Sequence, residues 1–336
     1  VVSLPPSDGP TGPGAGGGVR ALSTTVHQAL QPITDVIPLY LHVVRGTEAA
    51  AAIDAGLPDS ADLLDELIRT GAGGLPLRYL CNTHAHHDHI GNLRRLRARH
   101  GALVVAAEDA RGWIADPRRN LHEFALHHPH IIGPTAELLG ELEPTFDGAA
   151  PVDVMVGPTI ALDLGGGVEL EAFRVDGHLH AELAWFERSS RTLVLGDVVT
   201  AIGWPIFHGH VDPDGLRESL DRLATFVRER EVEVVAMSHH PARDAAAFLE
   251  LVGQVRADVD RTRELVLAEL GDTGQDLESI WRGVCAAAAK DPEFRALAMV
   301  EAHLRELVRD GVARVVGPET YAFAGTSRPV TRDEDK

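Results

Sequence analysis

The chain has little of what would staple it, anchor it in lipid or bind it to a polyanion. Of its 336 residues only Cys81 and Cys285 are cysteine, which excludes a disulfide framework and a thiolate zinc knuckle. No apolar run approaches the roughly 18 residues of a membrane span, so a helix-spanning membrane protein is excluded. Positive charge is scarce: 31 basic against 50 acidic side chains give a formal net charge of −19, and lysine occurs only at Lys290 and Lys336. That balance argues against a protein whose main task is to coat nucleic acid or an anionic membrane. The apolar fraction of 44% is nonetheless that of a globular protein, and the length allows one large domain or two ordinary ones. Histidine is the abundant exception, with 18 copies.

Residues 1–22 are rich in Pro, Gly and Ser, without the basic-then-apolar order of a signal peptide, and are expected to form a flexible arm. With so little cysteine, a cytoplasmic protein is the default expectation. From about Val26 the pattern becomes short apolar strands alternating with helices. Strands are expected at 38–44, 51–54, 77–82 and 103–106, and helices at 59–68 and 92–99, the latter stopped by Gly101. Residues 111–146 break this rhythm as a mostly helical stretch. Strands resume at 168–175, 183–186, 192–195 and 232–236. Long helical patterns follow at 245–270, 277–289 and 292–309, then a hairpin over 312–316 and 320–323 across Gly317-Pro318-Glu319. Such alternation predicts a layered domain with helices packed on sheets.

The chemistry concentrates in Thr83-His84-Ala85-His86-His87-Asp88-His89-Ile90-Gly91-Asn92, between a strand and a helix. Four potential ligands within six residues, His84, His86, Asp88 and His89, cannot all enter an apolar core, because each would need its own polar partner. On a tight turn they can surround two cations, and imidazoles with a carboxylate suit zinc or iron. Further ligand types follow the ends of other strands: Asp54 after Ile53, His178 after Gly177, Asp197 after Gly196, and His239-His240 after Ser238. A sheet edge would gather them into one cleft.

With those motifs in that order, the sequence resembles the metallo-β-lactamase superfamily over residues 33–241. The resemblance implies an α+β fold, a four-layer αββα sandwich with a metal site along one edge of its two sheets. It implies His84, His86 and His178 as ligands of one metal, and Asp88, His89 and His239 as ligands of a second, with Asp197 bridging both. Asp54 matches the residue that buttresses the ligand loop by hydrogen bonding. His239 is taken over His240 because Ser238-His239 stands where the family has Gly-His. A bridging carboxylate can hold two ions roughly 3.5–4 Å apart and acidify a water between them. The expected cofactors are therefore two divalent ions, zinc first, with iron or manganese as alternatives. Asp88 and Asp197 are the expected catalytic residues, Asp88 orienting the nucleophile and moving a proton.

An aspartate at position 197 fits the thioesterase, lactonase and nuclease-like branches better than the β-lactamases, and His86 stands where flavodiiron oxygen reductases carry glutamate. The C-terminal helices and hairpin resemble, by pattern only, a winged-helix-like extension found in one subgroup, some of which act on RNA. Arg94, Arg95, Arg97 and Arg99 are the best candidate for the basic footprint which that activity needs.

His180, His208, His210 and Trp204 are candidate substrate contacts, His180 because it shares a face with His178 if the strand continues. His87 is expected to face solvent. His127, His128 and His130 fall in the helical insertion, read as a lid that offers Trp113, Phe124 and Ile131 to substrate.

The organisation expected is an arm at 1–22, a catalytic domain at 23–244 with a lid insertion at about 108–150, a C-terminal helical, winged-helix-like domain at 245–325, and a polar tail at 326–336. The function expected is a binuclear metal-dependent hydrolase using a metal-bridging hydroxide on a thioester, lactone or ester of a small metabolite. A hydroxyacylglutathione hydrolase proper fits less well, because the region after His239 does not resemble that family's substrate-binding part. The alternatives are a phosphodiesterase or ribonuclease of the winged-helix subgroup, a β-lactamase, and an inactive binding protein. The partner expected is a small acyl substrate rather than nucleic acid or membrane, and a homodimer is left open.

Overall fold

The computed structural model describes residues 18–146 and 148–325. Two sheets carry the fold. The first runs, in spatial order, Arg20–Ala21, Val26–Pro32, Pro38–Arg45, Ala50–Ile53, Leu77–Cys81, Leu103–Ala107 and Val154–Val156. The second runs Val234–Met237, Thr192–Leu195, Glu182–Glu187, Glu169–Val175 and Thr159–Asp163.

Period-two alternation shows how the layers stack. In Glu182–Glu187, Leu183 and Trp185 pack into the core shared with the first sheet, while Ala184 and Phe186 pack into the core beneath the outer helices. Leu64 and Leu67 of helix Ala61–Gly71, with Leu93 and Leu96 of Leu93–His100, cover the far face of the first sheet. Leu216, Leu220, Leu223 and Val227 of helix Pro213–Glu229 cover the second, with Phe248 and Val255 of helix Ala245–Ala268. The result is the αββα sandwich.

Strand direction then decides where the chemistry goes. Ala50–Ile53, Leu77–Cys81 and Leu103–Ala107 are mutually parallel, as are Thr192–Leu195 and Val234–Met237. Glu169–Val175 points the same way as Thr192–Leu195, since both are antiparallel to Glu182–Glu187. The residues that follow these strands therefore emerge on one edge.

Several elements differ from the sequence-based expectation. Helix Pro213–Glu229 is absent from it, although Asp212 caps that helix by accepting from the Gly215 amide, Pro213 opens it, and its apolar residues recur at helical spacing. Of the arm expected over 1–22, residues 1–17 lie outside the described residues, but Arg20–Ala21 pairs with Val26–Pro32 and Leu22 is buried, so the expected boundary falls too late. The tail expected from 326 also lies outside the described residues. Helix Ala245–Ala268 serves two cores: its first half packs on the second sheet, and Val266 and Leu267 pack with helices Leu277–Ala287 and Phe294–Arg309. A three-stranded sheet, Gln275–Asp276, Thr320–Phe323 and Ala313–Gly317, closes this C-terminal part. No helix among the described residues is long and apolar enough to cross a membrane.

Candidate metal centre

The loop after Leu77–Cys81 is pinned by Asp54. Its Oδ1 accepts the Thr83 amide at 2.8 Å, and its Oδ2 accepts the Thr83 hydroxyl at 2.8 Å and His89 Nδ1–H at 2.9 Å. The Thr83 hydroxyl has one proton and gives it to Asp54. Its contact with His84 Nδ1 at 3.0 Å must therefore be donated by the imidazole. His178 Nδ1 donates to the Gly209 carbonyl at 2.8 Å, and His239 Nδ1 donates to the Pro38 carbonyl at 2.6 Å. In the neutral rings of His84, His89, His178 and His239 the lone pair is thus left on Nε2, and all four Nε2 atoms point inward. Outer partners that set the tautomer in this way are the usual support of metal-binding histidines.

Two donor groups result. His84, His86, His178 and Asp197 form one, with His86 Nδ1 at 3.1 Å from His84 Nε2 and 2.9 Å from His178 Nε2. Asp88, His89 and His239 form the other. Asp197 lies between them: His178 Nε2 is 3.5 Å from its Oδ2, His239 Nε2 is 3.4 Å from the same oxygen, and His89 Nε2 is 3.4 Å from its Oδ1. All these side chains are buried except Asp88, which is partly so. Neither His89 Nε2 nor Asp197 Oδ1 has a hydrogen-bond partner among the described residues, although both are buried. Such atoms are costly unless something pairs with them, so the donor set fits cations between the two groups.

The electrostatics divide along the same line. Burial, reinforced by neighbouring imidazoles, holds His84 and His86 well below the usual histidine range. Burial also lowers His178 to about 4, against the pull of Asp197. These rings are neutral donors. On the other side burial again opposes charge, but Asp197 and Asp88 outweigh it and raise His239 to about 10. Asp88 and Asp197 likewise lift His89 well above its ordinary value. The carboxylate side attracts positive charge, and loading it with metal would release protons.

Two glycines allow the geometry. Gly177, before His178, has φ +134°, and a Cβ there would lie 2.4 Å from the Cα of Leu216. At Gly196 a Cβ would meet Thr83 Oγ1 at 2.6 Å and Glu182 Oε1 at 2.7 Å. Glu182 Oε1 accepts the amides of Asp197 and Val198 at 2.7 and 2.9 Å, which fixes the Asp197 turn. Burial, with Asp197 nearby, raises the Glu182 carboxyl well above its usual range. Sequence reasoning missed Glu182, since nothing local distinguishes it from any glutamate at a strand start.

The other candidates separate. His208 lies at the centre: the Ala201 amide donates to its Nδ1 at 2.6 Å, so Nε2 carries the proton and donates to Asp197 Oδ2 at 2.9 Å. It holds Asp197. Trp204 stacks on His208 with ring centroids 5.0 Å apart and lines the cleft. His180 is exposed and is not among the lining residues, because the strand ends at Val175 and Gly177 turns the chain. His210 is directed away into the C-terminal part, where its Nε2 meets His303 Nε2 at 2.9 Å. The solvent exposure expected of His87 is corrected: it is half-buried, 5.7 Å from the Phe146 ring, because residues 121–146 fold over the loop. His240 faces the Thr200 carbonyl at 3.3 Å, so it is His239 that joins the cluster.

The cleft is walled by Ile33, Ile37, Phe124, Trp204, Ile206 and Phe294, with Arg295 beside them. Phe294 and Arg295 come from the C-terminal helix, and no local pattern could have placed them there. Trp113 and Phe124 of the insertion approach His86, at centroid distances of 6.2 and 4.9 Å.

The family model described as "Metallo-beta-lactamase superfamily" matches residues 40–239. A curated relative named hydroxyacylglutathione hydrolase, from Synechococcus sp. (strain JA-3-3Ab), is 28% identical over 186 residues, covering 55% of this chain and 58% of the relative. Another of that name, from Bradyrhizobium sp., is 37% identical over 77 residues, 23% of this chain and 28% of the relative. The chain thus spans little more than half the length of the first of these. Among solved structures, a metallo-beta-lactamase family protein from Thermus thermophilus aligns with TM-score 0.70 at 19% identity, covering 90% of this chain and 100% of that one. A beta-lactamase domain protein from Burkholderia ambifaria aligns with TM-score 0.69 at 19% identity, covering 91% and 95%. At that identity the likeness shows the fold.

Proposed function

This chain belongs to the metallo-beta-lactamase superfamily, and from that membership we propose a hydrolase that holds two divalent ions, zinc by preference, and cleaves a thioester, lactone or ester of a small metabolite. His84, His86 and His178 would hold one ion, Asp88, His89 and His239 the other, and Asp197 both. Bound there, the ions supply Lewis acidity and a water acidic enough to be deprotonated near neutral pH.

The protein's own groups do the rest. Burial opposes the charge on Asp88, but His89 and His239 outweigh it and keep the carboxyl well below its usual range. Asp88 is therefore ionised, and its place in the cleft lining at the partly open side of the centre puts it in position to orient the nucleophile and relay a proton to a leaving group. His208 and Glu182 keep Asp197 in position. Phe124, Trp204 and Phe294 exclude water and receive an apolar acyl part, and Arg295 is the cation available to an anionic end of the substrate.

The observation that carries the substrate class is the lining of the cleft. The arginine run that a nuclease would need does not line it: Arg94, Arg95, Arg97 and Arg99 are all outside the cleft wall, Arg95 and Arg99 share Asp65, and Arg97 pairs with Asp153 at 2.8 Å. What remains at the mouth is an apolar wall with Arg295, suited to a small acyl compound rather than a polyanion. Relatives named for hydroxyacylglutathione hydrolysis fit this reading. We read the C-terminal helices and small sheet as a winged-helix-like body that lends a wall to the cleft, and residues 108–150 as its lid.

A panel of thioesters, lactones, simple esters, β-lactams and bis-p-nitrophenyl phosphate, given to the zinc-loaded full chain, tests the proposal. Turnover of an acyl substrate that is lost in Asp197→Ala supports it. Turnover of the phosphodiester alone, or of β-lactams alone, overturns it.

A further inference from the structure

A second set of imidazoles and carboxylates lies apart from this centre, where the insertion meets the C-terminal part. His127, His128 and His130 follow the helical turn Leu121–Ala125, Glu301 belongs to helix Phe294–Arg309, and Glu319 sits in the turn before strand Thr320–Phe323. His128 is only 8% exposed. Its Nδ1 donates to Glu319 Oε1 at 3.0 Å, so that nitrogen carries the proton and the neutral ring has its lone pair on Nε2. His128 Nε2 is buried without a hydrogen-bond partner among the described residues, and it faces Glu301 Oε2 at 3.4 Å. His127 Nε2 approaches the same oxygen to 3.8 Å. The donor atoms of His127, His128 and Glu301 all lie within 4.8 Å of one another. Ligands bonded tetrahedrally to zinc at about 2.0–2.1 Å are roughly 3.3–3.5 Å apart, so a small inward movement completes the set.

We propose that His127, His128 and Glu301 bind a divalent cation of the zinc type, a site separate from the centre described above. Two imidazoles and one carboxylate, with water in the fourth position, are a donor set that zinc accepts. Glu319 acts on His128 as Asp54 acts on His89: a carboxylate takes the outer N–H and leaves the inner nitrogen free to bind. Glu319 is itself held from the other side by His130 Nε2 at 2.6 Å, and it takes φ +47°, a left-handed conformation uncommon for a non-glycine residue. One group competes. Arg305 Nη1 lies 3.0 Å from Glu301 Oε2, and its side chain is 53% exposed, so it can swing into solvent when a cation arrives. The site would tie the insertion to the helix that supplies Phe294 to the cleft, where Phe124 and Phe294 already pack with centroids 5.5 Å apart.

The test is zinc titration of the metal-free full chain against a chelating indicator, in the wild-type sequence and in an Asp197→Ala background that cripples the first centre. Because His84, His86 and His178 can still hold zinc without Asp197, the expected result is a difference: in either background, adding His128→Gln or Glu301→Gln removes one equivalent. Glu319→Gln should keep that equivalent but weaken it by about 10–100-fold. His127→Gln alters a half-exposed side chain that can hardly unfold the chain, and it should weaken the same equivalent at least tenfold. Arg305→Ala should tighten it. Equal zinc stoichiometry and affinity in His127→Gln, His128→Gln and the parent, with no response to Arg305→Ala, would overturn the site and leave these residues as ion pairs. Because the readout is the zinc equivalent lost with His128 or Glu301, whatever the first centre holds, failure of the hydrolase proposal does not affect it.

Discussion

Replacing Asp54 by asparagine exchanges one carboxylate oxygen for an amide NH2 and should disable ligands of both ions together. Asp54 stands at φ +61°, a conformation that asparagine tolerates as well as aspartate does, so the backbone need not move. The carbonyl of the substituted side chain can still accept the Thr83 amide, as Asp54 Oδ1 does at 2.8 Å. Its NH2 group then replaces the oxygen that accepts from the Thr83 hydroxyl at 2.8 Å and His89 Nδ1 at 2.9 Å. Facing a donor, His89 must move its proton to Nε2, which points at Asp88 and Asp197. The Thr83 hydroxyl, deprived of its acceptor, turns to His84 Nδ1 at 3.0 Å, and His84 must carry its own proton on Nε2 as well. One atom thus puts N–H bonds where two lone pairs were needed, in the two donor groups at once. Loss of an outer hydrogen-bond partner typically weakens metal binding 10–100-fold, or about 1.4–2.7 kcal/mol for each ion. The stability of the metal-free fold should change by no more than about 1–2 kcal/mol, because a buried charge is relieved as charged hydrogen bonds become neutral ones. Competition with a chelating indicator gives the affinities, and thermal melts of the metal-free forms control for folding. Asp54→Ala should lose both affinity and stability, since alanine is strained at positive φ. Asp54→Asn that binds both ions with parental affinity would refute the tautomer argument.

The same geometry makes further claims. Gly177→Ala must place a Cβ against Leu216 at φ +134°, so a loss of about 2–4 kcal/mol in thermal stability is expected, together with misplacement of His178; a variant as stable as the parent would show that the turn can relax. His208→Ala removes the N–H that holds Asp197 and should weaken metal binding by about 10–100-fold with the fold intact, as read by chelator competition; unchanged affinity would leave His208 without that role. Burial, with Arg20 nearby, pushes His42 down to about 3. Its folded pKa is below the unfolded value near 6.5, so its contribution is complete above pH 6.5 and is lost as pH falls toward 3, about 2 kcal/mol by pH 5. Melts of the metal-free chain at pH 7.5 and 5 should show a smaller difference in His42→Leu than in the parent, and equal differences would exclude His42 as the sensor.

Much of the centre is legible in the sequence because ligand chemistry leaves a local mark. His84, His86, Asp88 and His89 are crowded into one turn, and a core cannot accept them unpaired; Asp54, His178, Asp197 and His239 each follow an apolar run that reads as a strand. The helix Pro213–Glu229 carries an equally local mark, its Asp212-Pro213 cap and apolar residues at helical spacing. His180 shows where local pattern fails: strand periodicity puts it beside His178 only if the strand continues, but the strand ends at Val175 and Gly177 turns the chain. His208 and His210 look alike in sequence, two residues apart in one loop, yet one holds Asp197 and the other joins His303 across the C-terminal interface.

The sequence by itself determined which residue types could bind cations and the alternation that builds two sheets, because both depend on neighbours along the chain. The tertiary structure alone decided which nitrogen of each imidazole faces inward, since Asp54, Pro38 and Gly209 lie 35, 201 and 31 positions from the histidines they orient. It alone brought Phe294 and Arg295 to the cleft and Glu301 and Glu319 to His128. Those pairings depend on how layers dock, a property of packed surfaces that no short stretch of sequence encodes.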